Sequence, residues 1–297
     1  MLSILIPTYN YNVSELITSL NRICNQLDFD YEILCWEDGS HLYLEENRNA
    51  CNNVRFATHH ISKNNKGSIT SRHILAKKSK YDWLLFLDAD IEIIDNHFIE
   101  NYSTYFNNRL DAIYGGCSYD LKKPRASKIL RWKYGKTYEE IESKTRNKNP
   151  YKFIVSVNFI IKKNIFLKLV SKINADDYGY DIFLGALMKD SNTKVLHINN
   201  PIIHKGLDDN FIFLDKVERA VKTNYKLLSE KKVSTSDNSL LKVYRLIKTL
   251  KLLKIINTIF KWFKKSIKNQ LLSNNPNVKL LQFYKLGYLC SLSLKRE

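Results

Sequence analysis

The feature that most constrains the fold is a run of five apolar residues, Trp83–Leu87, that ends directly in two carboxylates, Asp88 and Asp90. An unbroken apolar run of this length is typical of a parallel strand that is covered on both faces. Ligands of open α/β sheets bind just beyond the carboxyl ends of such strands. Two acids one residue apart repel each other unless a cation offsets their charge, and carboxylate oxygens suit Mg²⁺ or Mn²⁺. Taken alone, the triplet favours a solvated turn after a strand over a ligand site.

Length and composition limit the classes of protein. The 297 residues suffice for one large α/β domain with an appendage or for two domains, and a hydrophobic content of 44% excludes a disordered chain. The five cysteines show no Cys-x-x-Cys spacing. Neither a zinc site nor a disulfide framework is therefore predicted, and a reducing cytosol is the expected location. No apolar stretch approaches the ~18 residues of a membrane-spanning helix, and Met1–Pro7 is interpreted as a first strand rather than a signal peptide.

Strand and helix patterns alternate along the first part of the chain. Leu2–Pro7 and Tyr31–Trp36 are predicted to be strands, and a third strand is predicted around residues 54–56. Ser14–Cys24 and Ser68–Lys78 have helical spacing. This βαβ rhythm predicts a doubly wound, mostly parallel sheet flanked by helices.

Polar residues follow three of the predicted strands, at Thr8–Asn10, Glu37–Ser40 and Asp88–Asp90. If these strands are neighbours, their ends form one crevice that could hold a nucleotide. Neither a GxGxxG fingerprint nor a GxxxxGK[ST] loop is present, so dinucleotide and phosphate-loop chemistry are not expected. A phosphate held without a glycine cradle needs a cation, and the paired acids can bind one. The combination predicts a metal-bound nucleotide.

Several short motifs follow one another in a fixed order along residues 1–230. They are Ser3–Asn10 (a strand, then Pro-x-Tyr-Asn), Glu37–Ser40, Asn65–Gly67 with Ser71–His73, Asp88–Asp90, Val157–Lys163 with Asn158, Tyr178–Asp181 and Asn200–His204. Their order and spacing resemble a family 2 glycosyltransferase of the GT-A fold. The resemblance implies a Rossmann-like, mostly parallel sheet and a hexosyl- or N-acetylhexosaminyltransferase of the type that builds bacterial surface polysaccharides.

The resemblance also implies a role for individual residues. Asp90, the second acid of this DxD motif, and His204 would bind the metal, and Asp88 would face both the metal and the ribose. Thr8 and Asp38 would lie against the base, and Arg72 would hold the base or the diphosphate. The residues implied in nucleotide-sugar binding are Pro7, Thr8, Tyr9, Asp38, Arg72, Asp88 and Ala89.

Asp181 is the implied catalytic base. An acceptor hydroxyl is a poor nucleophile, so a carboxylate within hydrogen-bond reach has to take its proton during attack. Tyr180 stands where the family usually has Glu, so Asp181 could align with either member of the family's Glu-Asp pair. Asp176 and Asp177 are nearby alternatives. One base acting from the face opposite the leaving group gives inversion at the anomeric carbon without a covalent intermediate.

The charge lies mainly in the C-terminal part. Residues 231–297 contain 15 Lys and Arg against two acids, a net charge of +13 out of +17 for the chain. Residues 240–272 contain no Pro or Gly and form two amphipathic segments whose apolar faces point in different directions, so a bend is predicted near Leu253–Asn257. Apolar faces opposite lysines are typical of helices on anionic membranes. The alternative is that the two amphipathic helices pack on the catalytic domain and their lysines are merely solvated. No RNA-binding motif is present, so no nucleic-acid partner is expected.

We therefore expect a transferase domain at residues 1–230 and a basic amphipathic helical tail at 231–297 that associates with a membrane. The enzyme would be metal-dependent and inverting, with Mn²⁺ or Mg²⁺, a UDP-sugar in preference to a GDP-sugar, and a glycan or lipid-linked acceptor. It would act in the cytoplasm, peripherally on the inner face of the membrane. Two alternatives remain, namely a non-catalytic nucleotide-sugar or membrane-surface binding protein on a degenerate transferase fold, and a metal-dependent nucleotidyltransferase. The latter usually has a Gly-rich basic N-terminal loop, which Pro7–Asn10 lacks.

Overall fold

The chain forms two units, each assembled from several segments. The computed structural model describes residues 1–106, 109–173, 178–234 and 238–295. One unit, called the sheet unit below, comprises Met1–Ser118, Ile141–Asp176 and Asp190–Gly206. The other, the helical unit, comprises Tyr119–Glu140, Asp177–Lys189 and Leu207–Glu297.

The strands of the sheet unit form two sheets. They are β1 (Leu2–Thr8), β2 (Tyr31–Asp38), β3 (Ala57–Ser62), β4 (Trp83–Leu87), β5 (Ile91–Glu92), β6 (Ala112–Tyr114), β7 (Cys117–Ser118), β8 (Asn158–Lys162), β9 (Val195–His197) and β10 (Ile202–His204). A mostly parallel sheet of seven strands, as predicted, has the order β3-β2-β1-β4-β8-β6-β9. In it β1 pairs in parallel with β2 and with β4, β2 with β3, and β6 with β9, whereas β8 is antiparallel to both β4 and β6. The second sheet has the order β5-β10-β7.

Helices connect these strands. The predicted helices Ser14–Cys24 and Ser68–Lys78 are confirmed with the same bounds, but the strand predicted at 54–56 is wrong. Those residues form the turn that ends the preceding helix, where Val54 N–H donates to Cys51 O and Ala57 N–H donates to Val54 O. β3 starts only after this turn. The helices of the sheet unit are α1 (Ser14–Cys24), α2 (Leu44–Asn52), α3 (Ser68–Lys78), α4 (Phe98–Ser103), α6 (Ser143–Arg146) and α7 (Lys163–Val170).

The core of the sheet unit explains the unbroken apolar run in the sequence. All five residues of β4 are buried, because the strand lies between β1 and β8 and is covered on both faces. Phe86 stacks on Phe159 and also contacts Phe166 of α7. Each large apolar side chain buried in this way contributes about 1.5–3 kcal/mol to folding. The predicted burial is confirmed, and β4 is parallel to β1 but antiparallel to β8.

The helical unit contains the basic tail. Its helices are α5 (Ile129–Tyr138), α8 (Asp181–Asp190), α9 (Asn210–Ser229), α10 (Ser239–Thr249), α11 (Leu253–Leu271) and α12 (Val278–Leu294). The predicted break in the tail is observed slightly earlier than expected, at residues 250–252 between α10 and α11. Apolar side chains from α5, α9, α11 and α12 share one core, which contains Leu130, Phe213, Phe260 and Tyr284. Among the described residues, no helix is long and apolar enough to cross a bilayer.

A buried arginine and histidine fix the end of β9 in the sheet unit. The Arg146 guanidinium donates to four backbone carbonyls, those of Tyr114, Gly115, Ile141 and Ile198, and to Nδ1 of His197 at 2.9 Å. On the opposite side of the ring, His197 Nε2 lies 2.8 Å from Pro150 O, to which it must donate. Nδ1 is therefore the acceptor, and the imidazole is neutral in the folded state. Burial, reinforced by the charge of Arg146, lowers the pKa of His197 to about 4.

The buried Arg146–His197 pair predicts that the fold loses stability in acid. The pKa of His197 is about 4 in the fold and 6.5 for an ordinary histidine, so the unfolded chain binds the proton more tightly and stability falls as the pH drops from about 6.5 towards 4. The loss can reach about 3 kcal/mol. Urea unfolding at several pH values should show a flatter pH dependence for His197→Gln than for the wild type. The matched change at exposed His41 should leave the slope unaltered, and equal slopes for His197→Gln and the wild type would contradict the assignment.

Candidate functional site

The sheet topology brings the predicted strand ends together. β1 lies between β2 and β4 and is parallel to both, so their carboxyl ends share one edge of the sheet. Thr8 and Asp38 end β1 and β2, and Asp88 directly follows β4. Polar ends on adjacent parallel strands are the usual position of a ligand site in an open sheet.

Asp38 holds the loop that precedes α3. Its side chain is buried, and its two carboxylate oxygens accept from the backbone N–H groups of Lys66 and Gly67, each at 2.9 Å. Gly39 passes so close to this loop that a Cβ there would lie 2.3 Å from Asn65 N, and its φ of +75° also favours glycine. The Asp-Gly of this motif thus joins two loops at the sheet edge, which the sequence did not reveal.

The residues of β1 and its following loop that are predicted to bind the nucleotide-sugar differ in exposure. Thr8 is buried, with its hydroxyl 3.5 Å from the sulfur of Cys35, whereas Tyr9 is 54% exposed. Pro7 is partly buried. Asn10, the last residue of the Pro-x-Tyr-Asn motif, accepts from the backbone N–H of His41 at 2.7 Å and so connects the loops after β1 and β2. An aromatic ring at Tyr9 therefore faces solvent beside a rigid pair of loops.

Arg72 and Asp88 form an ion pair at the sheet edge. One guanidinium nitrogen of Arg72 donates to Asp88 Oδ1 and to Ser156 O, and another donates to Ser68 of the same helix. Arg72 is buried, while the Asp88 side chain is 31% exposed. Burial raises the pKa of Asp88, the Arg72 cation opposes that shift, and the neighbouring Asp90 carboxylate reinforces it. The structure thus places Arg72 next to the first acid of the triplet.

Asp90 and His204 meet because β5 and β10 pair. In this antiparallel pair His204 stands opposite Ile91, and the His204 ring nitrogen Nε2 lies 3.7 Å from Asp90 Oδ2. Two donors about 2.1 Å from one ion are about 3.0–4.2 Å apart, so this carboxylate and imidazole can bind the same divalent cation. Ala89, between the two acids, is buried. The predicted pair is therefore close enough to be a metal site.

Two further residues belong to this cluster, although sequence reasoning missed them. A Cβ on Gly206 would lie 1.7 Å from Asp90 Oδ2, so only glycine leaves room for that carboxylate. The backbone N–H of Gly206 also donates to Asp90 O at 3.3 Å. Tyr11 lies near enough that Asp90, after burial, raises its pKa. The sequence signal that could have identified Gly206 is its position two residues after His204. Nothing in the sequence pointed to Tyr11.

Asp181 lies in the helical unit, where it is the first residue of α8. The preceding Tyr180 is buried, at 4% exposure, and its ring packs edge-on against Phe183. The alternative acids Asp176 and Asp177 lie outside the described residues. The role of Asp181 as a base therefore remains a prediction.

Comparisons with known proteins agree with this architecture. The family model described as glycosyl transferase family 2 matches residues 3–170. A search of curated protein sequences finds no match. Among solved structures, a mannosyltransferase from Pyrobaculum calidifontis, in complex with GDP-Man and Mn²⁺, has a TM-score of 0.56 at 11% identity, with 99% of this chain and 86% of that chain covered.

Two further solved structures are similar at 14% identity. Glucosyl-3-phosphoglycerate synthase from Mycobacterium tuberculosis, in complex with Mg²⁺ and UDP, has a TM-score of 0.52 over 77% of this chain and 78% of that chain. Residues 1–349 of S. aureus TarS have a TM-score of 0.50, with 74% of this chain covered. The match spans 64% of the TarS chain, which is less than two thirds of its length. At these identities the likeness shows the fold, while the family model covers more than half of the chain. The chain belongs to glycosyl transferase family 2.

Proposed function

We propose that this chain is a metal-dependent, inverting glycosyltransferase that moves a sugar from a nucleotide-sugar donor to a hydroxyl of a glycan acceptor. The observation that carries the proposal is the cluster of Asp88, Asp90, Arg72 and His204 at the carboxyl edge of the sheet. This cluster combines a pair of donors fit for a divalent cation with a buried arginine. An anionic leaving group such as a nucleoside diphosphate needs both kinds of positive charge.

The proposed donor is a UDP-sugar in preference to a GDP-sugar, and the transferred group is a hexosyl or N-acetylhexosaminyl residue. Structures similar to this chain were solved with UDP or with GDP-Man, which supports a nucleoside diphosphate. Thr8, Tyr9 and Asp38 would contact the base and Asp88 the ribose. Asp38 is already held by Lys66 and Gly67, so its carboxylate is rigid before the donor binds.

The proposed cofactor is Mn²⁺ or Mg²⁺, bound by Asp90 and His204, with Asp88 beside it. When bound, the ion stabilises as a Lewis acid the negative charge that grows on the departing diphosphate. The chain itself positions the carboxylates that would hold this ion. Gly206 leaves space for the Asp90 carboxylate, and Arg72 orients Asp88.

Asp181 is the proposed base. It would accept the proton of the acceptor hydroxyl as that oxygen attacks the anomeric carbon from the face opposite the diphosphate, which inverts the configuration. A positioned base of this kind contributes about 10²- to 10⁴-fold to the rate. The acceptor is proposed to be a lipid-linked glycan in surface-polysaccharide synthesis, in keeping with the resemblance of the motifs.

A membrane role for the tail is supported by apolar side chains that its helices leave uncovered. α10 buries Leu241, Tyr244 and Ile247, and α11 buries Leu253, Phe260, Ile267 and Leu271. A different set remains between 36% and 76% exposed, and we call it the apolar faces: Val243, Leu246, Leu250, Leu252, Ile255, Ile259, Trp262 and Phe263. The tail therefore packs on its own unit with one side and presents apolar and aromatic groups with another.

The charges around the apolar faces favour an anionic bilayer as their occupant. Exposed cations alternate with these side chains along α10 and α11, and residues 238–295 contain no Asp or Glu. Each basic residue near an anionic surface contributes about 1 kcal/mol to binding. The exposed cations of the two helices and their connection are Lys242, Arg245, Lys248, Lys251, Lys254, Lys261 and Lys265. We place the enzyme on the inner face of the cytoplasmic membrane, with these cations at the lipid headgroups.

The rival function is a non-catalytic nucleotide-sugar binding protein. The observation that favours it is the buried tyrosine at position 180, where the family usually has an acid that could act in catalysis. Binding would survive in such a protein, because the donor-side cluster is intact, but turnover would be absent. The two functions therefore differ in the behaviour of Asp181.

The metal assignment predicts a coupled effect of ion and nucleotide on stability. In a thermal-shift screen, UDP with Mn²⁺ should raise the melting temperature more than either alone, because an ion held by Asp90 and His204 would attract the diphosphate and so strengthen nucleotide binding. Asp90→Ala should abolish the part of the rise in melting temperature that depends on Mn²⁺. Gly206→Ala should weaken Mn²⁺ binding about 10- to 100-fold, because its Cβ displaces the Asp90 carboxylate. Glu45→Ala, which removes an exposed acid on α2, is the control, and full turnover of Asp90→Ala across a panel of donors would refute the metal site.

The base assignment predicts a separation of binding from turnover. Asp181→Asn should lower kcat about 10²- to 10⁴-fold, because an amide cannot take the proton, while the UDP-induced thermal shift should remain. Asp190→Asn, at the other end of α8, is the matched control and should keep wild-type turnover. A wild-type chain that binds UDP but releases no sugar from any donor would favour the non-catalytic alternative. Unchanged kcat in Asp181→Asn would assign the base elsewhere.

The membrane assignment predicts sedimentation with anionic vesicles. The chain should bind vesicles that contain phosphatidylglycerol and bind pure phosphatidylcholine weakly. Replacing Trp262 and Phe263 by Ser should weaken binding about tenfold or more per side chain, because their transfer from water into lipid is lost. Leu121→Ser is the matched control, since Leu121 is 91% exposed elsewhere in the helical unit. The assignment would be contradicted if Leu121→Ser lost as much vesicle binding as the tail variant, or if the chain bound both vesicle types equally.

A further inference from the structure

A second cluster of metal-binding side chains lies inside the sheet unit, apart from Asp90 and His204. Cys35 and Glu37 are two residues apart on β2 and therefore point to the same face of the sheet. His59 of β3 is the direct register partner of Cys35 and shares that face. Cys51 comes from α2, one helical turn after Asn47, whose amide contacts Glu37. Two strands thus direct three kinds of ligand at one point, and the helix brings Cys51 near Cys35.

The donor atoms of this cluster are already close to one another. The Cys35 sulfur, a Glu37 carboxylate oxygen and a His59 ring nitrogen all lie within 4.8 Å of one another. His59 Nε2 is 3.2 Å from Glu37 Oε1, and the Cys51 thiol is near enough to Cys35 to interact with it electrostatically. Cys35 and Glu37 are fully buried, Cys51 is 1% exposed, and the His59 side chain is 4% exposed.

An unpartnered oxygen provides an independent sign of a ligand. Glu37 Oε1 accepts from Asn47 Nδ2 at 2.7 Å, but Glu37 Oε2 is buried without any hydrogen-bond partner. A buried carboxylate oxygen without a partner is costly, and a cation removes that cost. Asn47 also orients the carboxylate, as groups hydrogen-bonded to metal ligands commonly do.

The chemistry of these donors selects the ion. Thiolate, imidazole and carboxylate together suit Zn²⁺, whereas the oxygen-rich Asp88–Asp90 segment suits Mn²⁺ or Mg²⁺. One thiolate and one carboxylate balance the charge of Zn²⁺, and a second thiolate leaves the site with one net negative charge. We propose that Cys35, Glu37 and His59 bind a structural Zn²⁺, with Cys51 as the fourth ligand. The site is independent of the transferase chemistry proposed above.

The position of the site indicates what the ion would do. Glu37 immediately precedes Asp38, and the hydroxyl of Thr8 contacts the sulfur of Cys35 at 3.5 Å. The ion would therefore join β2, β3 and α2 directly behind two residues predicted to contact the nucleotide base. The four ligands have no Cys-x-x-Cys spacing, because strand register and a helix bring them together rather than one short loop.

Metal analysis of the full-length chain tests this site. Protein purified after growth with added zinc should contain about one Zn²⁺ per chain, as a closed structural site would. Removing it with a strong chelator should lower the melting temperature, and added Zn²⁺ should restore it. Cys35→Ser and His59→Ala should lose the ion. Cys24→Ser, which changes a buried cysteine outside the cluster, should keep it. A wild-type chain that neither contains nor takes up Zn²⁺ would overturn the proposal.

Cobalt substitution tests the ligands first in the wild-type chain and then in a single variant. Co²⁺ in the wild-type site should show a thiolate-to-cobalt charge-transfer band and the visible bands of a tetrahedral ion. Cys51→Ser should retain the ion and lose roughly half of the charge-transfer intensity, as expected for one of two thiolates. Unchanged intensity would exclude Cys51 as a ligand. If the chain purified without added oxidant is instead two hydrogen atoms lighter by intact mass, and the freshly reduced chain takes up no Co²⁺, the pair is a disulfide and the zinc site is wrong.

Discussion

The parallel pairing of β1 with β2 on one side and with β4 on the other is the constraint on which the site depends. It sets the ends of three apolar strands at one sheet edge and places Thr8, Asp38 and Asp88 there. The strands are mainly apolar because they are buried on both faces, and the polar side chains of β1 and β2 lie close to the strand ends. Burial of the sheet and concentration of carboxylates at its edge therefore have the same cause.

Charge at that edge is balanced by groups from different elements. Arg72 of α3 is buried beside Asp88, and the β5–β10 pair brings His204 to Asp90. Burial raises the pKa of Asp88, and the neighbouring cation opposes that shift. An arrangement in which acids are held close together by buried cationic and imidazole groups is suited to a divalent ion and an anionic ligand. The sheet provides rigidity, and the short strands after β4 provide the ligands.

The helical unit uses one stretch of chain in two ways. α11 buries Phe260 and Ile267 in the core of its unit, while Trp262 and Phe263 on the same helix remain more than half exposed. A helix that only packed on its own unit would have one apolar stripe, and a helix that only bound a membrane would not share a core. The two predicted readings of the tail, packing and membrane association, are thus compatible because α10 and α11 are apolar on more than one side.

The sequence by itself determined the buried strands, the helices Ser14–Cys24 and Ser68–Lys78, the parallel α/β sheet and the paired acids, because hydrophobic period and strand-end polarity are local properties. It did not determine which residues meet. Gly206 beside Asp90, Arg146 beside His197, and Cys35 with Glu37, Cys51 and His59 are joined by strand register and helix packing across long sequence separations. The strand expected at 54–56 is wrong for a different, local reason, since backbone hydrogen bonds between residues three apart make this segment a turn. Tertiary structure alone decided these contacts, because a side chain's partners depend on where distant segments pack.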